Sequence, residues 1–482
     1  MEIIINFNLF SALSSLIDLG NNPPIVITWI IIKNGGWFFI AWAILEGLWD
    51  VRMEHITGAY AASTDHILLA FKIPKESETN QQSPKAVEHI FSQIMGAYTS
   101  INTVEKYWGG RIQPKFSLEI ISIEGYIQFL IRTPVKFRNL IESAFYAQYP
   151  EAEIFEVADY TKNIPIEKFP NEEYELTGSE IILAKDDIYP IKTYPQFEHP
   201  LTQELKDPLA SLLESLSRLQ KGEQLWLQIV ITPDLKANKP LREKGLRVIN
   251  KMAGKKEKVH ENISDKGINI FMKTLDAFGE MILPLWKPAG PKKEELPSMM
   301  LHLTSGEKVI IEAIEEKLSK ISFSTKIRFV YLAKKEVFDS KKGLNAVFGT
   351  FYQFFALNLN NLKPNSRTMI KKFYFFNKTR KNFRKTRLLK YFRSRERTGG
   401  STAFMLNIEE LATIFHFPIL SVVKTPSIQK TKSKTAEPPF ALPTGDESIN
   451  LRQTFRHIAS PYSVVSEEMK EKTPLPINLP IK

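Results

Sequence analysis

The sequence has no cysteine, few histidines and none of the short motifs that mark common catalytic sites. The absence of cysteine excludes disulfides, thiolate zinc sites and a cysteine nucleophile. The eight histidines never fall at HxxxH or HxH spacing, which argues against a histidine metal site. Neither a Walker A string nor a GxSxG elbow is present, so no phosphate-cradling loop or activated serine is visible. We therefore predict a chain that is not an enzyme and uses no metal or cofactor.

Excess positive charge is absent outside one segment. Residues 371–397 hold twelve Lys or Arg and one acid, so this segment carries the whole formal net charge of +11. Aromatic residues alternate with these cations, a composition that suits an anionic membrane surface or single-stranded nucleic acid. Two other interpretations are an acidic protein partner, and a strand and helix whose basic face is simply solvated. The candidate contacts to an anionic lipid or a nucleic acid are Arg380, Lys381, Arg384, Lys385 and Arg387.

The stretch Pro23–Trp49 contains only two charged residues, Lys33 and Glu46. Because roughly 20 apolar residues cross a hydrocarbon core, this stretch predicts a single transmembrane helix. The interruption at residues 33–36 leaves an interfacial or hairpin anchor, or a buried soluble helix, as alternatives. No Lys or Arg precedes Lys33, whereas Arg52 follows the stretch, so we expect the N-terminus outside and the body in the cytoplasm. The predicted membrane-anchor residues are Trp29, Trp37, Trp42 and Trp49.

The periodicity of apolar residues predicts an α+β fold behind an N-terminal segment, residues 1–50. Over residues 51–165 the order β-α-β-β-α-β is that of a ferredoxin-like module. Residues 166–400 form a second predicted α+β module with an insertion near 254–298, and the two modules are candidates for distant copies of one another. Capping boxes are predicted at Thr304 and Asn407, the latter opening a short helix within 401–423. Residues 424–482 are rich in Pro, Ser, Thr and Lys and predict a disordered tail.

Seven strings of the sequence are specific to one family when taken together. They are YAAS (60–63), SPKAVEHIF (83–91), FSLEIISIEG (116–125), AQYP (147–150), FEHP (197–200), GEQLW (222–226) and LNIEELA (406–412). As a set they resemble the membrane-anchored N-terminal region of conjugation-type, HerA/FtsK-like ATPases of type IV secretion systems from small-genome bacteria. The likeness runs from about residue 29 to about residue 443.

The resemblance implies a role without implying a motor. In longer relatives an ATPase domain with its P-loop follows this region, and no P-loop occurs here, so no motor residue carries over. The implied function is a non-catalytic platform that couples a separately encoded P-loop ATPase to the bacterial cell membrane, as a single-pass protein with a cytoplasmic body. Further copies of the chain are another candidate partner. The alternative function is a membrane-tethered nucleic-acid-binding protein that uses residues 371–397.

Overall fold

One antiparallel sheet of nine strands runs through the part of the chain that the structure describes. The structure is a computed structural model and describes residues 37–73, 83–198, 206–253, 303–371 and 374–418. The strands are β1 His66–Lys72, β2 Phe116–Ile123, β3 Tyr126–Pro134, β4 Glu153–Val157, β5 Tyr174–Leu183, β6 Glu223–Pro233, β7 Ser322–Lys334, β8 Leu362–Pro364 and β9 Phe404–Asn407. The helices are α1 Trp37–Ala62, α2 Ser83–Ile94, α3 Thr103–Tyr107, α4 Arg138–Tyr146, α5 Ala210–Ser217, α6 Leu235–Met252, α7 Ser305–Ser319, α8 Ser340–Phe351, α9 Asn377–Arg393 and α10 Ile408–Ile414.

The sheet consists of two halves that share one scheme of connections. The strand order is β4-β1-β3-β2-β6-β7-β5-β8, and β9 also pairs with β7. In each half the third strand lies between the first and second, and the fourth lies beyond the first. Helices α2 and α4 connect the strands of the first half, and α5 and α8 take the same places in the second. The halves differ between their second and third strands, where α6 and α7 stand in place of the β2–β3 hairpin.

The β2–β6 pair joins the two halves at the centre of the sheet. It runs from Phe116 opposite Ile231 to Ile123 opposite Gln224. Side chains alternate between the two faces of a strand, so each strand contributes to both sides. One face is apolar, with fully buried residues such as Ile120, Leu227 and Phe329, and it belongs to the same hydrophobic cluster as residues of α2, α4, α5, α8 and α10. The other face mixes apolar and charged side chains and carries α9.

Local sequence signals explain one hairpin turn and two helix starts. The β2–β3 hairpin turns at Glu124 and Gly125, whose φ angles of 55° and 91° are left-handed. Such a turn needs two positive φ angles, which explains the glycine. Both predicted capping boxes are confirmed: Thr304 exchanges hydrogen bonds with Glu307, and Asn407 exchanges them with Glu410.

The fold-class prediction is wrong in its arrangement, although the α+β class holds. We expected a transmembrane helix, a ferredoxin-like module and a second α+β module as successive parts. Instead, strands from both sides of the expected boundary near residue 165 form one continuous sheet, because β2 and β6 pair along their whole common length. The predicted insertion at 254–298 and the predicted tail at 424–482 lie outside the described residues.

The transmembrane helix is a second correction. Residues 23–36, which include Trp29, lie outside the described residues, and α1 begins at Trp37. Within the described chain, every helix is too short or too polar to cross a membrane. For α1 the reason is that the helix continues past Trp49 into Asp50, Arg52 and Glu54.

Candidate anion-binding surface

Helix α9 accounts for most of the basic segment and lies on the mixed face of the sheet. Its buried side chains are Lys385, Leu388, Leu389 and Phe392, at a spacing that forms one narrow stripe along the helix. The three apolar members join Trp226, Val330 and neighbouring residues in a second hydrophobic cluster. The remaining side chains of α9 are half-buried or exposed, so its basic residues divide between the sheet and the solvent.

Three of the arginines line one side of α9, which we call the arginine face. Arg380, Arg384 and Arg387 follow each other at i, i+4 and i+7, and such residues share one side of a helix. Together with Arg367, Thr379 and Phe383 they line a groove of about 380 Å³. Burial, together with the charges of Arg380 and Arg387, lowers the pKa of Arg384. The arginine face is therefore a cluster of mutually repelling cations.

The five sequence-predicted contact residues do not share one surface. Arg380 is exposed, and Arg387 lies over the rings of Phe383 and Tyr391, with its guanidinium carbon 5.5 and 5.9 Å from their centroids. Arg384 donates from Nη1 to the backbone oxygen of Met369 at 2.6 Å, which ties α9 to the segment after β8.

The two lysines of the set lie on the other side of the helix. Lys385 is buried and forms an ion pair with Glu175 of β5, and Lys381 is half-buried one turn earlier. The structure thus brings together three of the five residues and separates Lys381 and Lys385 from them.

Three consecutive aromatic residues project at the N-terminus of α9 and form what we call the aromatic tip. Tyr374, Phe375 and Phe376 are 93%, 66% and 81% exposed. The rings of Tyr374 and Phe375 stand edge to face, with centroids 4.7 Å apart. Phe376 has φ 51° and ψ 41°, a left-handed conformation that is uncommon for an aromatic residue. Exposed rings on a strained turn indicate a contact surface rather than a packing element.

A second cavity, of about 540 Å³, adjoins the arginine face and shares Arg367 and Arg387 with the groove. Four cations and two carboxylates line it. Asp186 accepts from Lys244 Nζ at 2.6 Å, and Asp187 accepts from the backbone N–H of Met405 at 3.2 Å, so both carboxylates are engaged. Within the described chain, no acidic side chain pairs with Arg367 or Arg387. The cavity therefore offers an excess of positive charge.

Beneath α9, a row of polar residues crosses four adjacent strands. Glu119 lies opposite Gln228, Gln228 opposite Arg328, and Arg328 opposite Glu180. Arg328 Nε donates to Glu180 Oε1 at 3.0 Å, and Gln228 donates to Glu119 at 3.2 Å. Gln228 also donates to the backbone oxygen of Phe392 at 3.0 Å, which links the row to α9. Because all four side chains are buried, these bonds are needed to offset the loss of their hydration.

Arg395 follows α9 and completes this network. Its Nε donates to Glu119 Oε1 at 2.9 Å, and its Nη1 donates to Asp159 Oδ2 at 2.6 Å. Tyr160 donates to the other oxygen of Glu119 at 2.8 Å. Burial alone would raise the pKa of Asp159, but the bonds from Arg395 bring that pKa below its usual value. Arg395 is therefore a structural cation, although it belongs to the same basic segment.

The predicted anchor tryptophans that the structure describes lie on α1. Trp37 and Trp42 are exposed on its N-terminal half, as are Leu45 and Leu48. Trp49 contacts Tyr107, with ring centroids 5.9 Å apart, and Arg52 lies 5.4 Å above its ring. Trp37, Trp42, Leu45 and Leu48 thus form an exposed apolar surface, and Trp49 packs against the body through Tyr107.

Sequence reasoning missed Arg367, Ser401 and the polar row. Charged residues at alternate positions of β7, Lys326 and Arg328, were a usable signal, because two cations on one face of a buried strand need acidic partners on its neighbours. No sequence pattern pointed to Arg367, because its position beside α9 depends on the turn that follows β8. In the described residues, no group of three His, Asp or Glu side chains converges to hold a metal ion.

Comparison with known proteins gives one family. Among curated proteins, none matches the chain. One family model matches residues 73–431, a range that starts directly after β1 and includes β2 to β9, α9 and the cavities beside it. Since this range is most of the 482-residue chain, the protein belongs to the family described as a domain of unknown function, DUF8128.

Proposed function

We propose that this protein is a non-catalytic platform of a type IV secretion or conjugation-like machine, and that α9 binds it to an anionic membrane surface. The observation that carries the membrane role is the aromatic tip next to the arginine face on one helix. The resemblance of the seven sequence strings supports the machine, the cytoplasmic side of a bacterial membrane, and a separately encoded P-loop ATPase as partner.

The arrangement of the aromatic tip favours a membrane surface over a nucleic acid. Single-stranded nucleic acid stacks successive bases on ring faces that are spaced along a groove. Here the three aromatic residues are consecutive, and the Tyr374 and Phe375 rings meet at 85°, so they present no common stacking face. A compact group of exposed rings suits insertion at the headgroup level, where aromatic side chains are favoured. The exposed apolar half of α1 is a second surface of the same kind.

Charge at the start of α9 supports an anionic partner. A helix N-terminus carries a partial positive charge, which favours acidic residues in the first turn. The first turn of α9 has no acid and includes Lys378 and Arg380 instead. No side-chain hydrogen bond caps it at Phe376. The N-terminus of α9 therefore concentrates positive potential beside the aromatic tip. A negatively charged surface at this place would reduce the repulsion between these positive charges.

Vesicle binding by the full-length protein tests the proposal. We expect sedimentation with vesicles of phosphatidylglycerol and phosphatidylcholine to exceed that with phosphatidylcholine alone. At roughly 1 kcal/mol per cation near an anionic surface, replacing Arg380 and Arg387 by Gln lowers the preference for anionic vesicles about 30-fold. Replacing Tyr374, Phe375 and Phe376 by Ser lowers binding to both kinds of vesicle, because the apolar contact is lost.

The matched control is the pair Lys236→Gln and Lys239→Gln, which removes the same charge from exposed positions of α6. We expect this control to change the vesicle preference less than about twofold, because neither lysine lines the groove or the cavity beside α9. Equal losses in the α9 and α6 variants would reject a localised membrane surface on α9.

Nucleic acid remains the second candidate, because exposed rings beside arginines also suit a single strand. It predicts that a single-stranded oligonucleotide binds with a steep salt dependence, and that the Arg380 and Arg387 variant flattens the slope. Oligonucleotide binding without any preference for anionic vesicles would favour this alternative over the membrane role.

A further inference from the structure

We infer that the junction of the groove and the 540 Å³ cavity, between Arg367 and Arg387, is a binding site for a phosphomonoester group. The ligand is a small phosphorylated molecule or the headgroup of a phosphorylated lipid, which present the same group. This inference deepens the proposed function, with which it shares Arg387, by giving the α9 surface a specific ligand.

The two arginines meet the requirement of a dianionic group. A guanidinium donates two parallel hydrogen bonds to oxygens of one phosphate, so a pair of arginines binds a phosphate with both charge and geometry. Arg367 lies on the turn after β8, where its backbone N–H donates to Asn365 Oδ1 at 3.0 Å. Arg387 lies on α9 above the rings of Phe383 and Tyr391. The two side chains therefore come from separate, fixed elements and face the same two cavities.

The cavity also supplies hydroxyl groups and room for the rest of a ligand. Ser401 and Thr402 line it, and Ser401 Oγ is buried without a hydrogen-bond partner in the described chain. Gly400, with φ 91°, holds this loop against Glu180, whose carboxylate leaves no room for a Cβ atom. A volume of about 540 Å³ lies within the range of small-molecule sites.

The electrostatics of the surroundings agree with an anionic ligand. The two carboxylates of the cavity share an ion pair with Lys244, and Asp187 also accepts from the backbone N–H of Met405, so their repulsion of an incoming anion is reduced. Burial lowers the pKa of Arg384, and the charges of Arg380 and Arg387 lower it further, so these three cations repel each other in the absence of an anion. A phosphate between Arg367 and Arg387 would remove part of this unfavourable interaction.

Two probes distinguish the sources of the phosphate: glycerol 3-phosphate measured by calorimetry, and phosphatidylcholine vesicles that contain phosphatidic acid. We expect the full-length protein to bind at least one of them, and Arg367→Gln to weaken that binding about tenfold, since one charge-assisted pair is lost. Arg367→Lys keeps the positive charge but loses the two parallel donors of the guanidinium. We therefore expect it to bind more tightly than Arg367→Gln and more weakly than the natural protein. Binding of glycerol 3-phosphate alone assigns a soluble ligand, and binding of phosphatidic acid alone assigns a headgroup.

Lys363→Gln is the matched control, since Lys363 is exposed on β8, close to Arg367, and lines neither cavity. The inference is overturned if neither probe binds, or if Arg367→Gln and Lys363→Gln have equal effects. In a third outcome, the protein binds phosphatidylglycerol vesicles while Arg367→Gln leaves the binding of both phosphate probes unchanged. That result would overturn the inference and leave the proposed function standing. Binding of glycerol 3-phosphate without binding of any anionic vesicle would reject the membrane role and leave the inference standing.

Discussion

His66, the first residue of β1, lies among cations on the mixed face of the sheet. Its Nδ1 is 2.7 Å from the backbone oxygen of Thr64, and because a carbonyl only accepts, this nitrogen carries the hydrogen. Burial, and then the charges of Arg132, Lys115 and Arg395, lower the pKa of His66 to about 4. The folded protein therefore keeps this imidazole neutral in mildly acidic solution.

This neutral histidine predicts a loss of stability in mild acid. Between about pH 4 and the unfolded-state value of about 6.5, the unfolded chain binds a proton at His66 that the folded chain does not. The contribution of the neutral His66 ring to the free energy of unfolding is complete above about pH 6.5 and is lost as the pH falls towards about 4. The two pKa values correspond to about 2 kcal/mol between about pH 7 and about pH 5, and the partial solvent exposure of His66 reduces this difference. We therefore expect His66→Asn to lose about 1 kcal/mol less free energy of unfolding than the natural protein over this range. Urea denaturation at both pH values measures it, with the exposed His89→Asn as control, and equal losses in all three proteins would contradict it.

Helix α9 illustrates how a sequence can identify an element without assigning its residues. Composition singled out the basic segment, because its charge excess is a local property. The division of its cations between sheet and solvent depends on Glu119, Asp159 and Glu175, which lie more than 200 residues earlier in the chain. The capping boxes, by contrast, involve residues three positions apart, so their partners could be read directly from the sequence.

The end of α9 stores strain that its side-chain contacts offset. The N–H of Glu396 donates to the oxygen of Tyr391, and the N–H of Arg395 donates to that of Phe392, which is a Schellman ending. Glycine is usual at the position of Arg395, whose φ is 50°. An arginine occupies it because only a long cationic side chain reaches both Glu119 and Asp159.

Replacing Arg395 by Gly tests this balance. Glycine relieves about 1 kcal/mol of backbone strain, but it leaves Glu119 buried without its cation, a loss of about 3–5 kcal/mol. We therefore expect a net decrease of about 2–4 kcal/mol in the free energy of unfolding, measured by urea denaturation. Phe376→Gly is the control, because Phe376 has nearly the same φ and an exposed side chain, and we expect it to be neutral or slightly stabilising. A neutral Arg395→Gly would show that the network contributes little.

At the scale of the whole molecule, the sequence indicated the order of elements in the first half and missed how the halves combine. The β2–β3 hairpin is visible because two residues connect its strands. The β2–β6 pair joins strands about one hundred residues apart, and apolar alternation does not specify which partner a strand takes. The same pattern suits two separate sheets or one.

A single sheet predicts that damage in one half reaches the other. Leu118 of β2 is fully buried, and Leu118→Ala costs roughly 2–5 kcal/mol in similar cores. We expect this variant to reduce the hydrogen-exchange protection of the β7 amides as well as that of β3, because both strands depend on the central pair. Val104→Ala, at an exposed position of α3, serves as control. Protection in β7 that stays unchanged would mean that the halves unfold independently.

The two outermost strands, β4 with five residues and β8 with three, have a consequence for assembly. Backbone groups at a sheet edge are open to pairing with another chain, and very short edge strands limit that pairing. The long strands β2, β6 and β7 have their hydrogen-bonding groups satisfied inside the sheet. Under the proposed function, copies of this protein or its motor partner would therefore meet through side-chain surfaces such as α1 and α9, where contacts can form and separate without rearranging the sheet.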